Sequence, residues 1–170
     1  MHDKTVGMVS LGCAKNQVNS EQMIYLLKEA GFAVSSDLDG LDAVIVNTCG
    51  FIESAKAEAI DTILEFCAMK SEGRLKKVIV TGCLAERYKS ELLTEIPEID
   101  ALLGTASYQN IADALTLAFD GETPQLYGQS SELSDEVPRE LSTPDGWAYL
   151  KIAEGCDNNC AYCVIPSIRG

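Results

Sequence analysis

A three-times repeated step constrains this chain most. A short run of β-branched and small apolar residues ends at a cysteine flanked by glycine, and helix-forming sequence follows. The runs are Val6-Gly7-Met8-Val9-Ser10-Leu11, Ala43-Val44-Ile45-Val46 and Val78-Ile79-Val80. None alternates apolar with polar residues, so each reads as a strand covered on both faces. Between them, Asn19-Ser20-Glu21-Gln22 reads as a helix cap, with the helix running to about Ala30 and stopped by Gly31. Phe32 to Ser35 reads as an edge strand, 52–69 as a long helix and 84–93 as another. After Pro97, Ala101-Leu102-Leu103-Gly104 makes a last short strand, and Ser107 caps a final helix ending before Gly121. Strands alternating with helices imply right-handed crossovers and a parallel sheet. The predicted class is α/β, a flavodoxin- or Rossmann-like parallel sheet with helices on both faces, over residues 1–120.

In a parallel sheet every strand points the same way. Cys13 (after Leu11-Gly12), Cys49 (in Thr48-Cys49-Gly50) and Cys83 (after Thr81-Gly82) therefore fall on one carboxyl edge, where open α/β folds place ligands. The glycine beside each one is expected to let the backbone approach a bulky ligand. The chain has seven cysteines and one histidine, His2, so a metal site here is built from thiolates. That disfavours mixed Cys/His zinc sites and favours iron–sulfur chemistry. Three thiolates suggest a cluster with one iron lacking a protein ligand; the competing reading is small cysteines filling buried strand ends. Cys67 differs. It shares a helical stripe with Ile60, Ile63 and Leu64, and reads as core packing.

From Asp120 to Asp145 the composition shifts to seven acidic residues against one basic, with Pro124, Pro138 and Pro144. Residues 121–146 read as an acidic linker. Trp147-Ala148-Tyr149-Leu150-Lys151-Ile152 then reads as the first strand of a new domain, with Trp147 in its core. Cys156, Cys160 and Cys163 follow in a C-x3-C-x2-C pattern with Tyr162 before the last. Three thiolates on one tight loop can hold three irons of a [4Fe–4S] cluster and leave the fourth to chelate S-adenosyl-L-methionine (SAM). Zinc needs a fourth ligand, and none follows before Gly170.

The formal net charge is −13 and no apolar run approaches membrane-helix length. The expected setting is cytoplasmic, with no membrane contact and no direct nucleic-acid binding by this acidic segment. A basic protein partner fits the charge better. After the first strand, Gly12 is followed by Cys-Ala-Lys-Asn rather than a glycine-rich phosphate cradle. Lys15 and Asn16, beside Cys13, read equally as cluster or substrate contacts and as loop surface. Glu53, Lys56 and Glu58 read as a solvated face. Arg169 sits in a motif-like Ile165-Pro166-Ser167-Ile168-Arg169-Gly170 run whose role the sequence does not define.

Four segments together resemble the methylthiotransferase family of radical-SAM enzymes. They are Ser10–Asn16; Asn47–Ile52 with Ser54-Ala55-Lys56; Thr81–Leu84 with Arg87-Tyr88; and Gly155–Cys163 with Ile165–Gly170. The likeness is strongest to the branch that modifies an aspartate of small-subunit ribosomal protein twelve. Ala14-Lys15-Asn16 stands where the tRNA-modifying branch has Gln-Met-Asn. The resemblance implies that Cys13, Cys49 and Cys83 hold an auxiliary [4Fe–4S] cluster that delivers the methylthio sulfur. It implies that Cys156, Cys160 and Cys163 hold the radical-SAM cluster, with SAM supplying the methyl group and the radical, and that the β-carbon of the aspartate is modified. It also implies that residues 147–170 begin a radical-SAM barrel truncated at Gly170, so that this segment alone is expected to be inactive. The source of the inserted sulfur stays undefined. The alternatives are a tRNA methylthiotransferase and a non-catalytic iron–sulfur or zinc-binding module.

Overall fold

The apolar runs form the middle of one parallel sheet in the computed structural model, which describes residues 4–129, 133 and 137–170. His2 and the acidic residues Glu132, Asp135 and Glu136 lie outside them. The elements in chain order are β1 Thr5–Ser10, α1 Ala14–Glu29, β2 Ala33–Ser35, β3 Ala43–Thr48, α2 Glu53–Ser71 and β4 Lys77–Gly82. They continue with α3 Cys83–Glu95, β5 Ala101–Leu103, a 3-10 turn Tyr108–Asn110, α4 Ile111–Phe119, β6 Gln125–Leu126 and α5 Ile165–Arg169. The strand order is β2-β1-β3-β4-β5-β6 and every pair is parallel. The first five follow the flavodoxin-like order, so the predicted class holds.

Strand residues alternate between two cores, as the two-residue side-chain period requires. Val44 and Val46 of β3 with Val78 and Val80 of β4 meet Ala59, Ile63 and Phe66 of α2 and Leu84 and Leu92 of α3. On the opposite face, Ala43, Ile45 and Ile79 meet Met23 and Leu27 of α1 and Ile111, Leu115 and Ala118 of α4. Cys67 lies buried in the first core beside Phe66, and burial pushes its thiol up to about 11. Packing is its role, as its helical spacing indicates. Leu64 does not share that stripe: it is 48% exposed, one residue (about 100°) round the helix from Ile63.

Several expectations are corrected. The helix after β1 begins at Ala14, not near Asn19. Asn19 and Ser20 are buried inside α1, and their oxygens accept from Lys151 and Asn47 instead of capping. Ser107 precedes the 3-10 turn but makes no side-chain cap bond. The helix read as 84–93 is interrupted at Lys89, whose φ of 40° breaks the helical course; its ammonium stands over the Tyr127 ring at 5.2 Å. The stretch read as a linker opens with β6, which pairs with β5. Further on, Arg139 reaches Glu21 at 3.3 Å, while the Ser142 amide and hydroxyl donate to Glu21 at 3.0 and 2.9 Å. Residues 147–152 form no strand, because no neighbouring strand among the described residues supplies ladder hydrogen bonds. Leu150 and Ile152 are consequently 82% and 90% exposed. Trp147 is half exposed, with its ring edge-on to Tyr149 at 5.1 Å, rather than in a core.

Candidate metal centre

All three strand-end cysteines lie at the carboxyl edge of the sheet. Cys13 caps α1 in an extended conformation, Cys49 follows β3 directly, and Cys83 is the first residue of α3. Cys13 and Cys83 thus stand at helix N-termini, where unpaired amides and the helix dipole favour negative charge. Cys13 is exposed, Cys49 half-buried and Cys83 buried.

The flanking glycines have a different use from the one expected. A Cβ at Gly12 would lie 2.6 Å from Cys49 Cβ and 3.3 Å from its Sγ. One at Gly50 would lie 2.9 Å from Leu84 Cα and 3.0 Å from the Cys83 carbonyl, and one at Gly82 2.5 Å from the Thr48 carbonyl. The space beside each glycine is therefore filled by the neighbouring turn. Missing side chains let the cysteine turns close on one another, and Gly12 and Gly82, both at φ 95°, also need glycine for their backbone.

Asn16 holds these turns together. Its side-chain amide donates to the Leu11 carbonyl at 2.8 Å and the Thr48 carbonyl at 2.9 Å, and its Oδ1 lies 4.0 Å from Cys83 Sγ. One side chain thus touches the turn before Cys13, the turn before Cys49 and Cys83 itself. Asn47 donates to the Asn16 carbonyl at 2.8 Å, fixing α1 against β3. Of the two readings open for Asn16, surface loop is excluded, because it is fully buried. Lys15 donates instead to the Glu154 carbonyl at 2.6 Å. Glu53 and Glu58 are exposed, as expected, but Lys56 lies over the Tyr88 ring at 4.5 Å.

The second trio lies on the loop before α5. Cys156 and Cys160 are exposed and Cys163 half-buried. The Cys156 amide donates to the Gly170 carbonyl at 3.0 Å and the Cys163 amide to the Cys160 carbonyl at 3.0 Å. Hydrogen bonds tie this loop and α5 to the sheet-bearing part of the chain. The Thr105 hydroxyl donates to the Ile168 carbonyl at 2.6 Å, and the buried Arg169 guanidinium donates to Glu154 Oε1 and Asn16 Oδ1. Sequence reading missed Glu154 and Thr105, which no local pattern marks, and left Arg169 without a role.

Burial pushes the Cys83 thiol above its ordinary range, with Cys49 and Cys13 adding to the rise and Arg169 opposing it. Burial would also raise Glu154, but hydrogen bonds and charge from Lys151 and Arg169 prevail and hold it below its usual value.

Among the described residues, no group of three or more His, Cys, Asp and Glu side chains closes round a single metal ion. Cluster ligands bind separate irons and stand farther apart than ligands of one ion. The three cysteines of the edge are free thiols, the donor type that suits an iron–sulfur cluster.

The chain is 52% identical over 166 residues to "Ribosomal protein uS12 methylthiotransferase RimO" of Clostridioides difficile (strain 630), covering 97% of this chain and 37% of the relative. The protein of the same name from Desulforamulus reducens is 51% identical over 170 residues, covering 98% and 38%. That of Citrifermentans bemidjiense is 46% identical over 181 residues, covering 100% and 39%. The chain thus spans well under half the length of these curated relatives. Residues 5–104, which include Cys13, Cys49 and Cys83, match the family described as "Uncharacterized protein family UPF0004". The chain belongs to the UPF0004 family, and along nearly its whole length it is similar to RimO methylthiotransferases.

Proposed function

We propose that this chain carries the cluster-binding part of a radical-SAM methylthiotransferase acting in the cytoplasm on ribosomal protein uS12, at the β-carbon of an aspartate. The observation that carries the reading is three thiols from three separate strand ends at one sheet edge, in a chain about half identical to proteins named as uS12 methylthiotransferases. Cys13, Cys49 and Cys83 would hold one [4Fe–4S] cluster; Cys156, Cys160 and Cys163 would hold the other and bind SAM at its open iron. When bound, the two clusters would supply reductive SAM cleavage and a site for sulfur transfer.

The chain's own residues do the positioning. Asn16 holds the Cys13, Cys49 and Cys83 turns in register. The exposed thiol of Cys13 leaves the site open on one side. The excess of acidic residues favours approach of a basic protein substrate and disfavours direct nucleic-acid binding by this segment.

Anaerobic reconstitution with iron and sulfide tests the first trio. The expected result is a four-iron paramagnetic signal that disappears in Cys13→Ala/Cys49→Ala/Cys83→Ala when the second trio is already replaced by alanine. Unchanged iron content in that variant would overturn the assignment. For the substrate, the full-length protein is incubated with SAM and either uS12 or tRNA. Methylthiolation of tRNA and not of uS12 would overturn the substrate reading.

A further inference from the structure

Arg169 carries a charge that the proposed chemistry has not used. It is 3% exposed, and a buried cation is costly unless its donors are matched by acceptors. Its guanidinium is divided between two acceptors on different parts of the fold: Asn16 Oδ1 on α1 and Glu154 Oε1 before the second trio. The same Asn16 Oδ1 lies 4.0 Å from Cys83 Sγ, so the guanidinium and the Cys83 thiol share one acceptor. A single buried cation thus touches the asparagine that ties the first-trio turns together and the segment leading into the second trio, and shares its asparagine acceptor with a first-trio cysteine.

The charges around it run against the composition of the chain. Across the molecule 26 acidic residues face 13 basic ones. Around Arg169, Lys15 donates to the Glu154 carbonyl at 2.6 Å and Lys151 to the Glu154 carboxylate at 2.7 Å. Lys151 also donates to Asn19 at 3.1 Å. Two cations, Arg169 and Lys151, therefore pair with one carboxylate, and a third, Lys15, holds the backbone carbonyl of the same residue. The next carboxylate, Glu86, accepts from the Thr105 amide at 3.2 Å and pairs with Lys89 at 3.4 Å. Thr105 in turn holds the Ile168 carbonyl, which fixes the backbone next to Arg169. Arg169 is held by its neighbours on both sides rather than left free to swing into solvent.

We propose that Arg169 is the fixed positive charge of the first-trio site, a positioning residue whose guanidinium offsets the thiolates of Cys13, Cys49 and Cys83, with Glu154 moderating it. Asn16 can accept from Cys83 while the latter is a thiol. Arg169 donates to that same Asn16 oxygen, which places a fixed cation beside the sulfur. Hydrogen bonds and charge around the sulfurs set how tightly a cluster is held and at what potential it is reduced. Because Arg169 and Glu154 flank the second trio in sequence, the charge of the first site is delivered by the segment that carries the second. The inference rests on the reading of the first trio as a cluster site.

The test uses the full chain in a Cys156→Ala/Cys160→Ala/Cys163→Ala background, so that only the first site binds iron, with a thermal melt of each variant as a fold check. After anaerobic reconstitution, iron loss to a chelator and the reduction potential are measured for Arg169→Lys, Arg169→Met and Glu154→Gln. Arg169→Met is expected to lose iron about tenfold faster and to shift the potential negative, while Arg169→Lys stays close to the parent. Glu154→Gln, which removes a negative charge, is expected to shift the potential positive. Opposite shifts from Arg169→Met and Glu154→Gln are what a purely structural role would not produce. Equal behaviour of the lysine and methionine variants, with the potential unchanged, overturns the charge role. If Arg169→Met does not fold, an unmoved potential in Glu154→Gln overturns it alone. Absence of any cluster in the parent background overturns the cluster reading and this inference together, whereas a parent cluster insensitive to these variants overturns only the inference.

Discussion

Asp42, one residue before β3, joins the starts of three strands. Its carboxylate accepts the Thr5 amide of β1 at 2.9 Å and the Lys76 ammonium at 2.6 Å, and its carbonyl accepts the Lys76 and Lys77 amides before β4 at 3.0 and 3.1 Å. The Lys76 hydrogen bond, opposed by partial burial and aided by the Thr5 amide, holds its carboxyl below the ordinary 3.8. A depressed folded value means that the stabilisation is present above the unfolded value and is lost as pH falls through the folded one. Asp42→Asn is therefore expected to flatten the acid limb of a melting-temperature profile below about pH 4. Parallel acid limbs for the two proteins would show that Asp42 is not a source of the acid sensitivity. The cysteines make the same point about single residues. Cys67 and Cys83 are both buried, yet the first packs within the core and the second lies 4.0 Å from Asn16 Oδ1, which also accepts from Arg169. Helical spacing separates them in the sequence; only the neighbours show what Cys83 is next to.

At the scale of elements, the turn from β4 into α3 is the most constrained of the three cysteine turns. Gly82 has φ 95°, and a Cβ there would stand 2.5 Å from both Asn47 Oδ1 and the Thr48 carbonyl. Gly73, just past α2, also has positive φ (76°) but open space around it. Gly73→Ala is expected to cost about 1 kcal/mol, the backbone strain alone. Gly82→Ala should cost about 2–3 kcal/mol, because strain and collision add. Urea unfolding of the two variants checks this, and equal costs would mean that the β3 and β4 turns part without penalty. Element boundaries are where the sequence was least legible. The polar run Asn19-Ser20-Glu21-Gln22 resembles a cap, but these side chains bond across to Asn47, Lys151, Arg139, Ser142 and Tyr108. Buried polar residues within a helix imitate a helix start when their partners lie far along the chain.

For the whole molecule, the sheet and its four flanking helices contain both cores, and β6 closes the sheet at Leu126. A chain ending at Gly128 is expected to melt cooperatively, at a lower temperature than the chain of 170 residues. It loses the Arg139 and Ser142 bonds to Glu21 and the Thr105 and Asn16 bonds to α5. A broad, non-cooperative melt would show that the later segment is part of the folding unit. No helix among the described residues is long and apolar enough to cross a membrane.

The sequence by itself determined the α/β class, the parallel sheet, the placement of Cys13, Cys49 and Cys83 on one edge, and the core role of Cys67. Each follows from local periodicity together with the handedness of the crossovers, which leaves strand direction no freedom. Only the tertiary structure decided that Asn16 ties the cysteine turns, that the space beside the flanking glycines is filled by neighbouring turns, that β6 extends the sheet, and that Arg169 reaches Asn16 beside the first trio. The physical reason is range: Arg169 and Asn16 are 153 residues apart. Periodicity reports which face a residue takes on its own element, while a hydrogen bond between two such faces exists only once the chain has packed them together.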